Sequence, residues 1–356
     1  MTEGSAMPPA VMRVATTDIS DMMNPGSERR MDLPGFDPEF VDFPHYIIRI
    51  TERIWHDREV ELCLKWYSED CAIHTLAGPI TGAQTVVDNT WATLAAFPDR
   101  RLDGDNVIWS DEGDGSFLSS HLITSKMTNL GDSDFGPATG KRVLVRTIAD
   151  CLCRDNRIVE EWLVRDNLAL VEQLGFVPDE VAAMQAARDG ERGAPLTEVL
   201  GSYHADALNE PEAEPASEAQ RIAADLLRAA WYGDNARAAA LSDFRLGAWV
   251  PGGKFLYGPD QYAEWAAPIR TAFSPHARVR IEHIAEVPYL GDARDVAVRW
   301  SLAGWHEGAG AYGEPTGAPL LIMAVSHFRV IQGRVREEVT IWDDIAVRRQ
   351  IAGARL

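Results

Sequence analysis

The chain has 356 residues, 46% hydrophobic and 25% charged, with a formal net charge of −20. This is a globular composition with length for about two or three domains. The acid excess argues against nucleic acid and anionic membrane surfaces as partners, since both need clustered Lys and Arg. The first residues, Met1-Thr-Glu-Gly-Ser5, lack a basic region followed by an apolar run, and no apolar stretch is long enough to span a bilayer. A cytoplasmic protein with no membrane association is therefore expected. The four cysteines (Cys63, Cys71, Cys151, Cys153) all lie in the first half, without disulfide or zinc spacing. They read as small buried hydrophobes in a reducing compartment.

In chain order, residues 1–44 are rich in Pro, Gly, Met and Asp and read as an extended arm. Apolar residues at three- and four-residue spacing predict a helix from His45 through Tyr67, followed by a short strand at Cys71–Thr75. A second helix runs from Gly82 to Phe97 and stops at Pro98-Asp99. Strands are predicted over roughly 101–110, 116–128, 141–154 and 157–170, with a tight turn at Asp155-Asn156. Pro178 to Arg192 reads as an acidic, Ala-rich helix, and residues 209–217 as a Pro/Glu/Ala linker. Then the order repeats: helices at 217–231 and 260–272, and strands near 278–287, 294–306, 318–331 and 334–346.

The repeat is also literal. Asn156–Gln173 and Gly333–Gln350 align without a gap at an offset of 177 residues (343 less 166), so that Asp166 matches Asp343. A period this long means two copies of one domain rather than a solenoid. Helices set apart from a run of long strands give an α+β class: tandem duplicated domains, each with N-terminal helices on a curved antiparallel sheet. The expected boundaries are 1–44 for the arm, 45–176 for the first domain, 177–216 for a helical segment and linker, and 217–356 for the second domain.

Three stretches of the first copy carry a resemblance: Tyr67-Ser-Glu-Asp-Cys-Ala-Ile-His74, Gly136-Pro-Ala-Thr-Gly140 and Arg157-Ile-Val-Glu-Glu-Trp162 with Asp166. In the second copy Val298–Gly308, Tyr312–Gly317 and Gly333–Glu338 do the same. Both copies resemble the SnoaL-like polyketide cyclases, a family of the nuclear-transport-factor-like superfamily of cone-shaped α+β domains. The resemblance implies a cone or barrel closed by the N-terminal helices, with acid–base chemistry inside it. Family members often carry a second Asp directly after the Trp of the last strand; here Leu163 and Thr340 stand there, which argues against a reaction that needs both carboxylates.

Strand alternation puts Glu160, Trp162, Val164 and Asp166 on one face. With Trp162 and Val164 pointing into the cone, Asp166 would sit in an apolar pocket as a general base of raised pKa. The alternatives for Asp166 are a strand-end cap or a pair with Arg165 or Arg146. His121, on an alternating strand, and His74, where the family places a pocket polar group, are the candidate polarising partners; either also fits a satisfied structural histidine. Trp66, Trp91 and Trp162 would form the apolar wall, and Arg146 and Asp150 an ion pair or further pocket groups. The second-copy pocket would use Asp343, His327, Arg299 and Trp249, with His306 at its rim. No metal-ligand spacing, nucleotide loop or Gly-x-Ser-x-Gly elbow is present, so no metal or cofactor is expected.

The function expected is a cofactor-independent acid–base enzyme of cyclase, isomerase, hydrolase or dehydratase type. It would act on a small or medium apolar organic ligand in the first cone. The alternative is a non-catalytic binding or assembly module. An apolar sheet face needs a cover, which predicts intramolecular domain pairing or a homodimer.

Overall fold

In the computed structural model, which describes residues 18–356, the strands form two six-stranded sheets of identical topology. Residues 1–17, the start of the expected arm, lie outside the described residues. The first sheet comprises β1 (Tyr67–His74), β2 (Ile80–Thr81), β3 (Arg101–Asp111), β4 (Phe117–Thr128), β5 (Arg142–Arg154) and β6 (Arg157–Arg165), in the order β2-β1-β6-β5-β4-β3. The second comprises β7 (Ser242–Val250), β8 (Lys254–Tyr257), β9 (Arg278–Pro288), β10 (Arg294–Trp305), β11 (Pro319–Ile331) and β12 (Arg334–Trp342), in the order β8-β7-β12-β11-β10-β9. The fold is the tandem α+β duplication that the repeat implies. The sheets are open and mixed, however, because β1 runs parallel to β6 and β7 parallel to β12.

Helix Phe43–Trp55 covers the concave face of the first sheet. The Asp42 side chain accepts from the His45 N–H, Pro44 fits the first turn, and Phe43, Tyr46, Ile47, Ile50 and Ile54 form its buried stripe. The helical period stops early: Arg58 takes a positive φ of 63°, and only single turns (Val60–Leu62, Cys63–Trp66) precede β1. The expected strand ends also shift. After Val164 the β-branched run gives way to Asn-Leu-Ala-Leu, and helix Asn167–Leu174 replaces the strand tail; helix Asp344–Gly353 does so in the copy. Beyond the expected helix, Pro178–Glu191, the connecting segment also forms helices Leu196–Val199 and Gly201–Asn209.

Each sheet and its helices enclose a cone. The first is filled from one end by the described part of the arm: Leu33, Phe36 and Phe40 pack with Phe43, Tyr46 and Trp66, and Asp37 pairs with Lys65 at 2.6 Å. The second is centred on Trp231, Trp300 and Trp342. The opposite faces of the two sheets meet in a seam. Leu122, Ile148 and Val164 form one apolar cluster with Val325 and Ile341, and Ile108 another with Ala285, Val287 and Ala297. Polar latches flank them: Asn106 to Asp295 at 2.8 Å, Ser120 to His327 at 2.8 Å and Asn167 to Asp343 at 2.6 Å.

Candidate active site

The faces of β6 are set by a bulge. Ile158 packs inside the first cone, and strict alternation would put Glu160, Trp162 and Val164 there too. Instead the β5–β6 register shifts: Cys153 faces Ile158 but Leu152 faces Glu160, leaving Val159 as an extra residue. One extra residue reverses every later side chain. Glu161, Leu163 and Arg165 therefore face the cone, while Trp162 and Val164 face the seam. The copy repeats the device, with Val330 facing Val335 and Arg329 facing Glu337.

Asp166 consequently does not line the cone. It caps helix Asn167–Leu174 through the Ala169 N–H at 3.0 Å, and accepts from the Gly252 and Gly253 N–H groups of the second domain, each at 2.8 Å. Gly252 and Gly253 hold φ values of 85° and 64°, which present both amides at little steric cost. Burial pushes the carboxyl above its usual range while the three N–H groups pull it down. With both oxygens engaged, the general-base assignment gives way to the capping alternative. Asp343 likewise caps its helix at Ala346 and accepts from Asn167; burial lifts it to about 6.

The carboxyl that does face the first cone is Glu161. Burial raises it from 4.5 to about 7, opposed by Arg165 and by a hydrogen bond from the Tyr67 hydroxyl. All four cysteines lie close enough for its charge to raise their thiols further; burial is the main cause and takes Cys63 and Cys71 to about 12. They are free and buried. Register places Cys151 and Ser119 beside Glu161, and Ala149 and His121 in the next row beside Leu163. His121 is buried and driven to about 4 by desolvation, so it is neutral at pH 7. In this region Trp66 Nε1, Ser119 Oγ, His121 Nε2 and Thr147 Oγ1 are buried without a protein hydrogen-bond partner. Buried polar groups rarely stay unpaired, so these call for water or a ligand.

The second cone is built on the same plan but sealed. Glu338, the repeat of Glu161, is raised by burial to about 7. Its Oε1 accepts from the Tyr262 hydroxyl at 2.9 Å and from Thr340 Oγ1 at 2.5 Å. Thr340 is linked through Ser326 to Trp300 Nε1. The mouth positions show the asymmetry: Leu163 is half-buried and Arg165 exposed, whereas their counterparts Thr340 and Trp342 are 1% and 0% exposed.

Buried carboxyls of raised pKa make stability pH-dependent. Glu161, Glu338 and Asp343 keep protons in the folded chain that the unfolded chain releases near pH 4 to 4.5. Their contribution is full below that range and drains as pH rises toward 7. Between pH 5.5 and 8 the urea midpoint should therefore fall, and should fall less in Glu338→Gln, whose amide is always neutral. Equal falls in both proteins would show that Glu338 titrates normally.

The remaining expected residues scatter or gather elsewhere. Trp66 is core, and Trp91 is 44% exposed with its Nε1 on Glu61, so it forms no wall. Arg146 lies 4.1 Å over Trp249 rather than pairing with Asp150 or Asp166. His327 is spent on Ser120, and His306 is fully buried rather than at a rim, bonded to Thr316. The expected second-copy set of Asp343, His327, Arg299 and Trp249 thus does not form one pocket. Four residues do converge, in the seam: His74, Trp162, Asp150 and Arg299. His74 contacts Glu160 at 2.8 Å and the Tyr203 hydroxyl at 2.6 Å and stacks on Trp162, while Arg299 lies 3.6 Å over Trp162 and pairs with Asp150 at 3.2 Å. Among the described residues, no group of three or more His, Cys, Asp or Glu is placed to hold a metal ion, and no helix is long and apolar enough to cross a membrane.

A family model described as SnoaL-like polyketide cyclase matches residues 45–174 and 228–351. Among solved structures, AclR of Streptomyces galilaeus, assigned as a hydroxylase, is 23% identical over 37% of this chain and 93% of that one, with a TM-score of 0.32. IdmH of Streptomyces antibioticus, assigned as a polyketide cyclase, is 23% identical over 37% and 96%, with a TM-score of 0.32. A SnoaL-like protein of Jannaschia sp. CCS1 is 18% identical over 40% and 98%, with a TM-score of 0.34. No curated protein matches the chain.

Proposed function

The chain belongs to the SnoaL-like polyketide cyclase family, as two copies in tandem, and from that premise we propose that it is an acid–base enzyme acting on a small or medium-sized apolar carbonyl compound in the first cone. The observation that carries this reading is Glu161: a buried carboxyl raised to about 7 that faces the inside of the first cone, on a strand whose later inward residues, Leu163 and Arg165, are less buried than Thr340 and Trp342 of the copy. A base of that pKa is matched to proton transfer near neutral pH. The Glu161 carboxylate takes a proton from carbon next to the carbonyl. The C–H electrons pass to the carbonyl oxygen as an enolate, and the proton rests on the carboxyl until it is returned or passed on. The unpaired Ser119 hydroxyl and neutral His121 supply polar contacts for the oxygen. Leu163 occupies the position where family members often carry a second Asp, and Glu161 lies two residues before it on the same face. The second cone, with Trp342 in its mouth and Tyr262 and Thr340 on Glu338, is read as a structural copy.

The test is exchange of α-protons in D2O, followed by proton NMR on a panel of naphthyl and phenyl 1,3-diketones and β-keto esters. It detects C–H cleavage whatever reaction follows. Catalysed exchange should rise with pH through a value near 7. A panel that exchanges no faster with the protein than with buffer would contradict the reading.

A further inference from the structure

A cavity of about 230 Å³ lies in the seam, walled by the first sheet, the second sheet and helix Gly201–Asn209. We propose that it is a second binding site, separate from either cone, for a small neutral hydroxylated molecule. Arg299 and Ser301 sit two residues apart on one face of β10 and both line it. Ser301 is 1% exposed, yet its Oγ has no hydrogen-bond partner, while Arg299 beside it is 9% exposed and its Nε is held by a 3.6 Å ion pair to Glu282. An unpaired buried hydroxyl in a cavity wall calls for a hydrogen-bonding partner. The carboxylates of Glu160, Glu282 and Asp206 also line the space and can accept further donors. A hydroxylated molecule supplies both.

Charge narrows the class. Arg299 already faces Asp150 at 3.2 Å and Glu282 at 3.6 Å, and Arg280 faces Glu282 at 3.9 Å. An anionic ligand would meet three carboxylates with no free guanidinium. A cationic one would sit against two arginines. Apolar molecules would leave the Ser301 hydroxyl unpaired, at a cost in desolvation. Water, at roughly 30 Å³ per molecule, fills the space by default, so the site holds a ligand only if hydroxyls compete with water.

Saturation-transfer NMR on the full chain separates these cases, with D-glucose and myo-inositol as neutral probes and D-glucuronate and D-glucosamine as charged ones. The neutral probes should bind and the charged ones bind at least tenfold more weakly. Ser301→Ala, losing one hydrogen bond of about 1.4 kcal/mol, should weaken the neutral probes about tenfold, and Met323→Trp, which fills the cavity, should abolish binding. Glu161→Gln should leave it unchanged, which keeps this site independent of the first cone. No binding of either neutral probe at 50 mM, or binding indifferent to both Ser301→Ala and Met323→Trp, would overturn the proposal.

Discussion

Glu161→Gln should lower α-proton exchange and any turnover built on it by roughly 10²–10⁴-fold, the usual contribution of a positioned general base. The amide is nearly isosteric, can still accept from Tyr67, and carries no charge into a region where burial already disfavours charge. The fold should therefore survive, and stability above pH 7 should rise rather than fall, because the wild-type carboxyl must ionise there against its surroundings. That combination separates a working carboxyl from a structural one, whose loss would lower stability and leave the chemistry intact. Asp166→Asn supplies the contrast: it should retain most exchange activity. An Asp166→Asn enzyme as inactive as Glu161→Gln would return the base to the strand end.

Asp166→Ala should be the most damaging single change to stability outside the apolar cores, at roughly 3 kcal/mol. It removes a helix cap, worth about 1 kcal/mol, and two charge-assisted bonds to backbone amides of the other domain. The Gly252 and Gly253 N–H groups would be left without their acceptor. Because this contact joins the halves, the loss should also lower their cooperativity. Urea unfolding followed by exchange of backbone amides in each domain separately should part into two transitions where the wild type shows one. A single transition displaced by less than 1 kcal/mol would mean that the seam is held by its apolar clusters alone.

Much of this architecture was legible in the residues. The 177-residue repeat gave two domains, and strand periodicity with turn residues located eight of the twelve strands, missing β7 and β8 and overrunning the ends of β6 and β12. What escaped was local. The bulge at Val159 adds one residue to an otherwise regular alternation, and nothing in Arg-Ile-Val-Glu-Glu-Trp marks which residue is the extra one. That slip moved Trp162 and Asp166 into the cone on paper and left out Glu161, although the repeated Glu-Glu pair stood in both copies. His74 and Arg299, assigned to different cones, meet because the sheets pack back to back, a contact between distant segments that no local pattern encodes. Asp166 was open to the capping reading from the start; Leu-Ala-Leu after it, rich in helix formers, was the unused signal.

The central claim is that each cone holds one inward glutamate that keeps its proton to near neutrality, and that the first of these is the working group. Carbon NMR of protein labelled with [δ-13C]glutamate measures this without a substrate. Two side-chain carboxyl resonances should titrate near pH 7. One should vanish in Glu161→Gln and the other in Glu338→Gln, and only the Glu161 resonance should move when a diketone that undergoes exchange is added. If every glutamate titrates in the ordinary range, or the diketone shifts the Glu338 resonance and not that of Glu161, the assignment of the first cone as the site of chemistry is wrong.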